Sequence, residues 1–284
     1  MKNLLFFFIF SMPLFSNAEN IIKIRGPQSE YDASHSYYKG LIELAFSKMN
    51  KDVTLTYSPY MVQGRALAEL KDNRLLDIYW AGSDALRDKE LGVVDIPLLK
   101  GLLGYRLMLS HKDNYKKLNK IDTLKDLKQL SMCQGSHWPD TDILLAAGLN
   151  VVPNPIYENM FTQVNYKRCD VFPRGVSEVY SEFNARKKLM PNLILFKKLA
   201  IYYPFPMYFY TSPHNTKLRD FLTQGLERAI DDGSYDQYIK NHPTTKHLFP
   251  LSKWKKLKII NINNPFLSTT IDTKNNRYWV DLNQ

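Results

Sequence analysis

The feature that most constrains this chain is a strict alternation of strand-like and helix-like segments. Ile21-Ile22-Lys23-Ile24-Arg25 reads as a β-strand closed by Gly26-Pro27, and Tyr37, Leu41, Leu44, Ala45 and Lys48 then recur at helical spacing to about Met49. Val53 to Tyr57 alternates as a second strand, Ala66, Leu67 and Leu70 mark a second helix, and Leu76 to Trp80 a third strand. This β-α-β-α-β order specifies a mostly parallel sheet covered by helices. Ser83 or Asp84 can cap a short helix carrying Arg87, and Leu102 to Ser110 is a long apolar strand.

After the lysine-rich stretch 112–128 the alternation restarts. Gln129 to Gln134 reads as a strand, Gly135-Ser136-His137-Trp138 as a turn, and Pro139 suits the first turn of a helix ending at Gly148. Val151-Val152, Tyr157 to Tyr166 and Asp170 to Pro173 follow as strand, helix and strand. Leu193 to Phe196 and Met207 to Thr211 are further strands. Leu218, Phe221, Leu222, Leu226, Ala229 and Ile230 form the clearest helical stripe in the chain, with a second helix at Tyr235 to Ile239. The last forty or so residues read as short strands and turns without an assigned place. At 284 residues this suits two α/β units.

Composition narrows the class. With 44% hydrophobic and 23% charged residues the chain is globular rather than disordered, and two cysteines exclude a disulfide scaffold. The formal net charge of +10 makes it basic. Lys2, the apolar run Leu4 to Phe10, Pro13 and Ser16-Asn17-Ala18 have the three parts of a secretory signal peptide, with cleavage expected after Ala18. The run is too short to span a bilayer. No cysteine lies near the cleavage point to carry a lipid, so a periplasm-like compartment is expected. In such an oxidising space Cys133 and Cys169 could pair. If they occupy opposite ends of neighbouring parallel strands the sulfurs are too far apart, and two buried free thiols are expected.

The segment Asp77-Ile78-Tyr79-Trp80-Ala81-Gly82-Ser83-Asp84-Ala85-Leu86-Arg87, followed eight residues later by Asp95-Ile96-Pro97-Leu98, resembles the type II periplasmic solute-binding proteins, in particular the polar-amino-acid branch serving ABC importers. Leu127 to Ser136 likewise resembles the strand and turn that open that family's second lobe. The resemblance implies a two-lobed, Venus-flytrap α/β fold, each lobe a mostly parallel sheet flanked by helices. Lobe 1 is expected to hold 19–104 and 206–284, and lobe 2 105–205. It also implies a small-molecule ligand gripped by hinge closure, a membrane permease or receptor as partner, and a monomer without cofactor or metal.

Arginine pairs bidentately with carboxylates, and a helix N-terminus favours anions, so Arg87 and Ser136 are expected to grip one carboxylate from opposite lobes; the plain alternatives are a surface ion pair of Arg87 with a neighbour such as Asp84 and a helix-cap role for Ser136. Ser83 lies at the same strand end as Arg87. Arg174 stands where the amino-acid binders place an acid for the ligand ammonium, and either contacts a second acidic group or pairs with Glu178. Tyr31, Trp80 and Trp138 are candidate lining aromatics, with Glu30 and His137 beside them; each also has an ordinary role as core, cap or solvated loop residue.

Other chemistries fit less well. Ser136, His137 and Asp140 lack a nucleophile elbow, His242 and His247 lack partners at metal-ligand spacing, and Gly101 and Gly104 do not make a phosphate loop. The basic run 253–258 reads as a solvated face, and export argues against nucleic acid. The rival is a small dehydratase-like enzyme using His137, Glu30 or Glu178 as acid or base; a sensor module for a membrane receptor is the third reading.

Overall fold

A computed structural model describes residues 20–268 and 270–282; the signal peptide and cleavage point expected from the sequence lie outside them. In chain order the elements are β1 (Ile21–Arg25), α1 (His35–Lys48), β2 (Thr54–Ser58), α2 (Gln63–Lys71), β3 (Tyr79–Gly82), α3 (Ala85–Glu90) and β4 (Gly92–Val94). The middle of the chain supplies β5 (Tyr105–His111), the short helices α4 (Tyr115–Leu118) and α5 (Leu124–Leu127), β6 (Ser131–Gly135), α6 (Pro139–Ala146), β7 (Asn150–Asn154), α7 (Tyr157–Asn165), β8 (Val171–Gly175), α8 (Val179–Arg186) and β9 (Leu193–Tyr202). Then follow β10 (Met207–Thr211), α9 (Thr216–Asp231), α10 (Ser234–Asn241) and β11 (Lys258–Asn261).

The first lobe combines a parallel β1–β2 pair with a sheet in the order β3-β10-β4, where β10 runs antiparallel to both neighbours. The third strand starts later than its apolar run suggests. Residues before Tyr79 meet β1 through a single Ile24–Ile78 bridge, and the Asp77 carboxylate accepts from Lys23 N–H at 2.7 Å. Asp77 N–H in turn donates to Lys23 O at 2.8 Å, so the contact is a local clasp. The stripe read on α9 buries Leu222, Leu226 and Ala229, and α9 lies against α1 so closely that a Cβ at Gly225 would stand 2.3 Å from the Ala45 carbonyl oxygen. Glycine is therefore required at this crossing.

The second lobe is one six-stranded sheet, β11-β9-β5-β8-β6-β7, with β5 antiparallel to both neighbours. β11, assigned from the sequence with the other lobe, pairs parallel with β9, Lys258 opposite Leu199. From there the tail runs back: Phe266 O accepts from Ala85 N–H at 2.8 Å, Lys100 O from Val280 N–H at 3.0 Å, and Asp281 from Tyr105 hydroxyl at 2.8 Å. The chain crosses between lobes at Gly104–Tyr105 and again after Tyr202, and the two crossings touch through Tyr203 N–H on Gly104 O at 3.3 Å.

Two expectations need correction. Cys133 and Cys169 form a disulfide with Cα atoms 5.8 Å apart. They are buried, as expected, but they do not lie at opposite ends of the sheet. Met132 stands opposite Val171, so both cysteines flank the same register point, and the bend at 168–170 carries Cys169 across β6. α8 is a helix the sequence reading did not foresee. Its buried positions are Val179, Glu182 and Arg186; with two charges on the inward face, no apolar stripe marks it.

Candidate functional site

Between the lobes lies a cavity of about 50 Å³, lined from the first lobe by Arg25, Gln28, Ser34, Tyr38, Gln63, Trp80, Ala81 and Gly82, and from the second by Arg106, Trp138, Pro139, Asp140, Arg174 and Glu178. Leu103, Phe205 and Met207, beside the crossing segments, complete the wall. Strand ends do most of the positioning. Arg25 closes β1, Trp80 sits in β3, and Arg174 is the penultimate residue of β8. Arg106 projects from β5 opposite Gly175, where a Cβ would meet Glu178 Oε2 at 3.0 Å and Arg106 Nη1 at 3.1 Å. A glycine at 175 therefore gives these two side chains room to approach each other.

Three guanidiniums and four carboxylates interlock around this space. Arg174 gives both Nε and Nη2 to Glu182, at 2.9 and 2.6 Å, and lies 3.0 Å from Glu178. Its guanidinium carbon sits 4.8 Å from the Trp138 ring centre and 5.2 Å from that of Phe172. Arg106 pairs with Asp140 and donates from Nε to Tyr203 hydroxyl at 3.0 Å, which itself donates to Asp140 at 2.5 Å. Arg25 is 3.7 Å from Asp32 and lies over Trp80 at 5.0 Å. Burial pushes the Asp32 carboxyl up, but Arg25 and hydrogen bonds from Gln28 N–H and Ser34 hydroxyl overcome it and hold the carboxyl below its ordinary value.

With Arg25 matched by Asp32, Arg106 by Asp140 and Arg174 by Glu182, the fourth carboxylate, Glu178, shares guanidiniums already engaged, 3.0 Å from Arg174 and 3.8 Å from Arg106. Burial pushes its pKa up; Arg174 pulls it down and Glu182 pushes it further up, leaving it above the ordinary value. Four buried polar atoms of the lining have no hydrogen-bond partner: Arg25 Nε, Trp80 Nε1, Arg106 Nη1 and Glu178 Oε2. Three are donors and one an acceptor. Buried polar groups are almost always partnered, and each one left unmade costs about 1–3 kcal/mol.

Among the residues singled out in the sequence, Trp80, Trp138 and Arg174 line this cavity. Ser136 and His137 line a smaller neighbouring space, where His137 O accepts from Gln63 Nε2 across the lobes at 2.8 Å. Arg87 does not line the cavity: its guanidinium donates to Gly82 O and stands 3.4 Å from Asp84, which caps α3 by accepting from Arg87 N–H. Ser83 is fully buried and donates to Asp88 at 2.6 Å. Tyr31 lies over Arg186 at 5.4 Å, and Glu30 is exposed beside it. This corner also joins the lobes, since Ser29 hydroxyl donates to Glu158 at 2.6 Å and Arg186 pairs with Glu158. Arg25, Arg106 and Asp140 were missed as lining residues; the available signal for Arg106 was a charge inside an otherwise apolar strand.

No protein-family model matches this chain, and no curated protein is significantly similar to it in sequence. Solved structures are similar to it in fold. A Salmonella typhimurium periplasmic binding protein with high arginine specificity shares 15% identity at a TM-score of 0.57, over 79% of this chain and 99% of that one. A histidine kinase sensor domain similar to periplasmic binding proteins shares 13% at 0.59, over 80% and 96%. An ancestral amino acid-binding protein, precursor of cyclohexadienyl dehydratase, shares 13% at 0.57, over 79% and 95%. The chain has the two-lobed α/β fold of these proteins, and about a fifth of it has no counterpart in them.

Proposed function

We propose that this protein binds a small zwitterion, an amino acid or a compound of that charge pattern, between its lobes and hands it to a membrane permease or receptor from a periplasm-like space. The observation that supports this reading is the convergence on one interlobe cavity of four buried polar atoms without hydrogen-bond partners. A ligand carboxylate satisfies the donors of Arg25, Trp80 and Arg106, and a charge-assisted bond to a guanidinium is among the stronger kinds available. A ligand ammonium satisfies Glu178. The grip on the carboxylate is thus assigned to Arg25 and Arg106 in place of Arg87, and Arg174 acts by orienting Glu178. A zwitterion also answers the charge balance: three guanidiniums face four carboxylates here, and a purely anionic guest deepens that negative excess.

The lobes supply opposite halves of the grip, with Arg25 and Trp80 on one side and Arg106 and Glu178 on the other, so occupancy favours the closed arrangement. Binding in preference to catalysis is supported by where the candidate acids and bases stand. Glu30 and His137 are exposed outside this cavity's lining, and Glu178 is flanked by two guanidiniums. The small cavity favours compact guests.

A thermal-shift screen of amino acids tests the reading, since a ligand at 100 times its Kd raises stability by about 2.7 kcal/mol. With the best ligand, Glu178→Gln keeps the shape, removes the charge and weakens binding by about tenfold or more, in line with the ~1.5–3 kcal/mol of a charged hydrogen bond. An unchanged Kd in that variant refutes the assignment.

Acidification provides a second check. Because the Glu178 pKa is raised, its charge is lost at a higher pH than that of a solvated glutamate. Affinity for the zwitterion falls as pH drops through that raised value, while Glu178→Gln shows a flat profile over the same window. Calorimetric titration from neutrality into the mildly acidic range measures both.

A further inference from the structure

On the second lobe a groove of about 550 Å³ runs between the turn after α4, strand β9 and the segment leading into β11. Its volume is that of a ligand pocket. Leu118, Phe196, Leu199 and Trp254 are buried in its floor, and Lys197, Lys198, Lys253, Lys256 and Lys258 line its rim. No aspartate or glutamate belongs to the lining. Among the described residues only Lys258 of the five has a carboxylate partner, Asp122, which stands outside the groove.

Lys197, Lys198 and Lys253 are held by rings and amide oxygens. The Lys197 ammonium sits 5.0 Å from the Tyr180 ring centre, that of Lys253 lies 5.5 Å from Trp254, and Lys198 donates to Asn119 at 3.0 Å. Cation–π contacts of this kind fix position without neutralising charge. Crowded like charges repel one another, and the complementary occupant is a chain of negative charges. β11 is the end strand of its sheet, so one edge faces no other strand among the described residues, and Lys258 opens that strand.

We propose that this groove docks an acidic, extended polypeptide segment of a partner protein, whose carboxylates pair with the lysine rim and whose backbone runs beside β11. A concave floor beside a sheet edge receives a protruding segment, whereas a flat bilayer reaches only the rim. The proposal stands apart from the interlobe site and shares no residue with it.

The test uses the full chain and a labelled oligoglutamate peptide, with oligoglutamine as the neutral control, followed by fluorescence anisotropy. Oligoglutamate binds and oligoglutamine does not, and affinity falls as salt rises. The Lys197→Glu/Lys198→Glu/Lys256→Glu variant binds about tenfold more weakly or worse, equivalent to ~1.4 kcal/mol, while its thermal shift with the best amino acid is unchanged. If the reversed-charge protein does not fold, the glutamine variant at the same three positions replaces it with the same expected loss. Absence of oligoglutamate binding at low salt, or a Kd indifferent to these substitutions, overturns the proposal. So does sedimentation with phosphatidylglycerol vesicles but not phosphatidylcholine vesicles when the peptide fails to bind, since that result assigns the surface to a membrane.

Discussion

Replacing Glu182 with alanine is expected to lower stability by about 3 kcal/mol, the low end of the cost of breaking a buried ion pair, because Arg174 keeps Glu178 at 3.0 Å. Glu182 and Arg174 are both buried, at 1% and 5% exposure, so solvent offers the survivor little compensation. The carboxylate accepts from Arg174 Nε and Nη2, and from Tyr157 hydroxyl at 2.7 Å. Arg174 cannot escape by losing its proton. Burial works against its charge, but Glu178 and Glu182 more than offset this and hold its pKa above the ordinary value. Urea unfolding of the single variant measures the loss. Replacing Arg174→Met, Glu178→Gln and Glu182→Leu together is expected to restore much of it, because the triple change removes the guanidinium along with both carboxylates that face it. A single-variant cost below about 1 kcal/mol, the range of exposed pairs, would show that this pair is solvated in solution.

The second large effect is expected from the disulfide. Cys133 and Cys169 are separated by 36 positions in sequence, and closing a loop of that length in the unfolded chain stabilises the fold by about 3–4 kcal/mol. Reduction, or the Cys133→Ser/Cys169→Ser double variant, lowers the denaturation midpoint accordingly. The bond joins the approach to β8 with β6, so its loss acts on the strand that carries Arg174. Thiol titration of the denatured, unreduced protein is the direct control: two reactive thiols would refute the bond. A disulfide also accords with the oxidising compartment expected from the N-terminal segment.

Local pattern made much of the architecture readable. β1, α1 and α9 have apolar residues at strand or helix spacing within a few turns of chain, and each forms near the place read for it. Trp80, Trp138 and Arg174 were identifiable because strand ends and the following turns bring side chains to the mouth of a sheet, a property of order along the chain. α8 failed the same reading because its inward face carries Glu182 and Arg186. Those charges are tolerated only because Arg174, Tyr157 and Glu158 come from other elements to meet them.

What the amino-acid order determined alone is the succession of strands and helices, a cap at Asp84 among its candidates, and hence the class of fold. Which charges are spent on one another was decided only in three dimensions. From the sequence Arg87 could be a ligand anchor or the partner of Asp84, and the structure shows it held by Gly82 O and Asp84; Arg106 reads as an ordinary strand residue until one of its nitrogens is found buried without a hydrogen-bond partner. Periodicity is a one-dimensional property that a sequence records directly. The partner of a buried charge is set by packing between segments distant along the chain, and no local spacing encodes it.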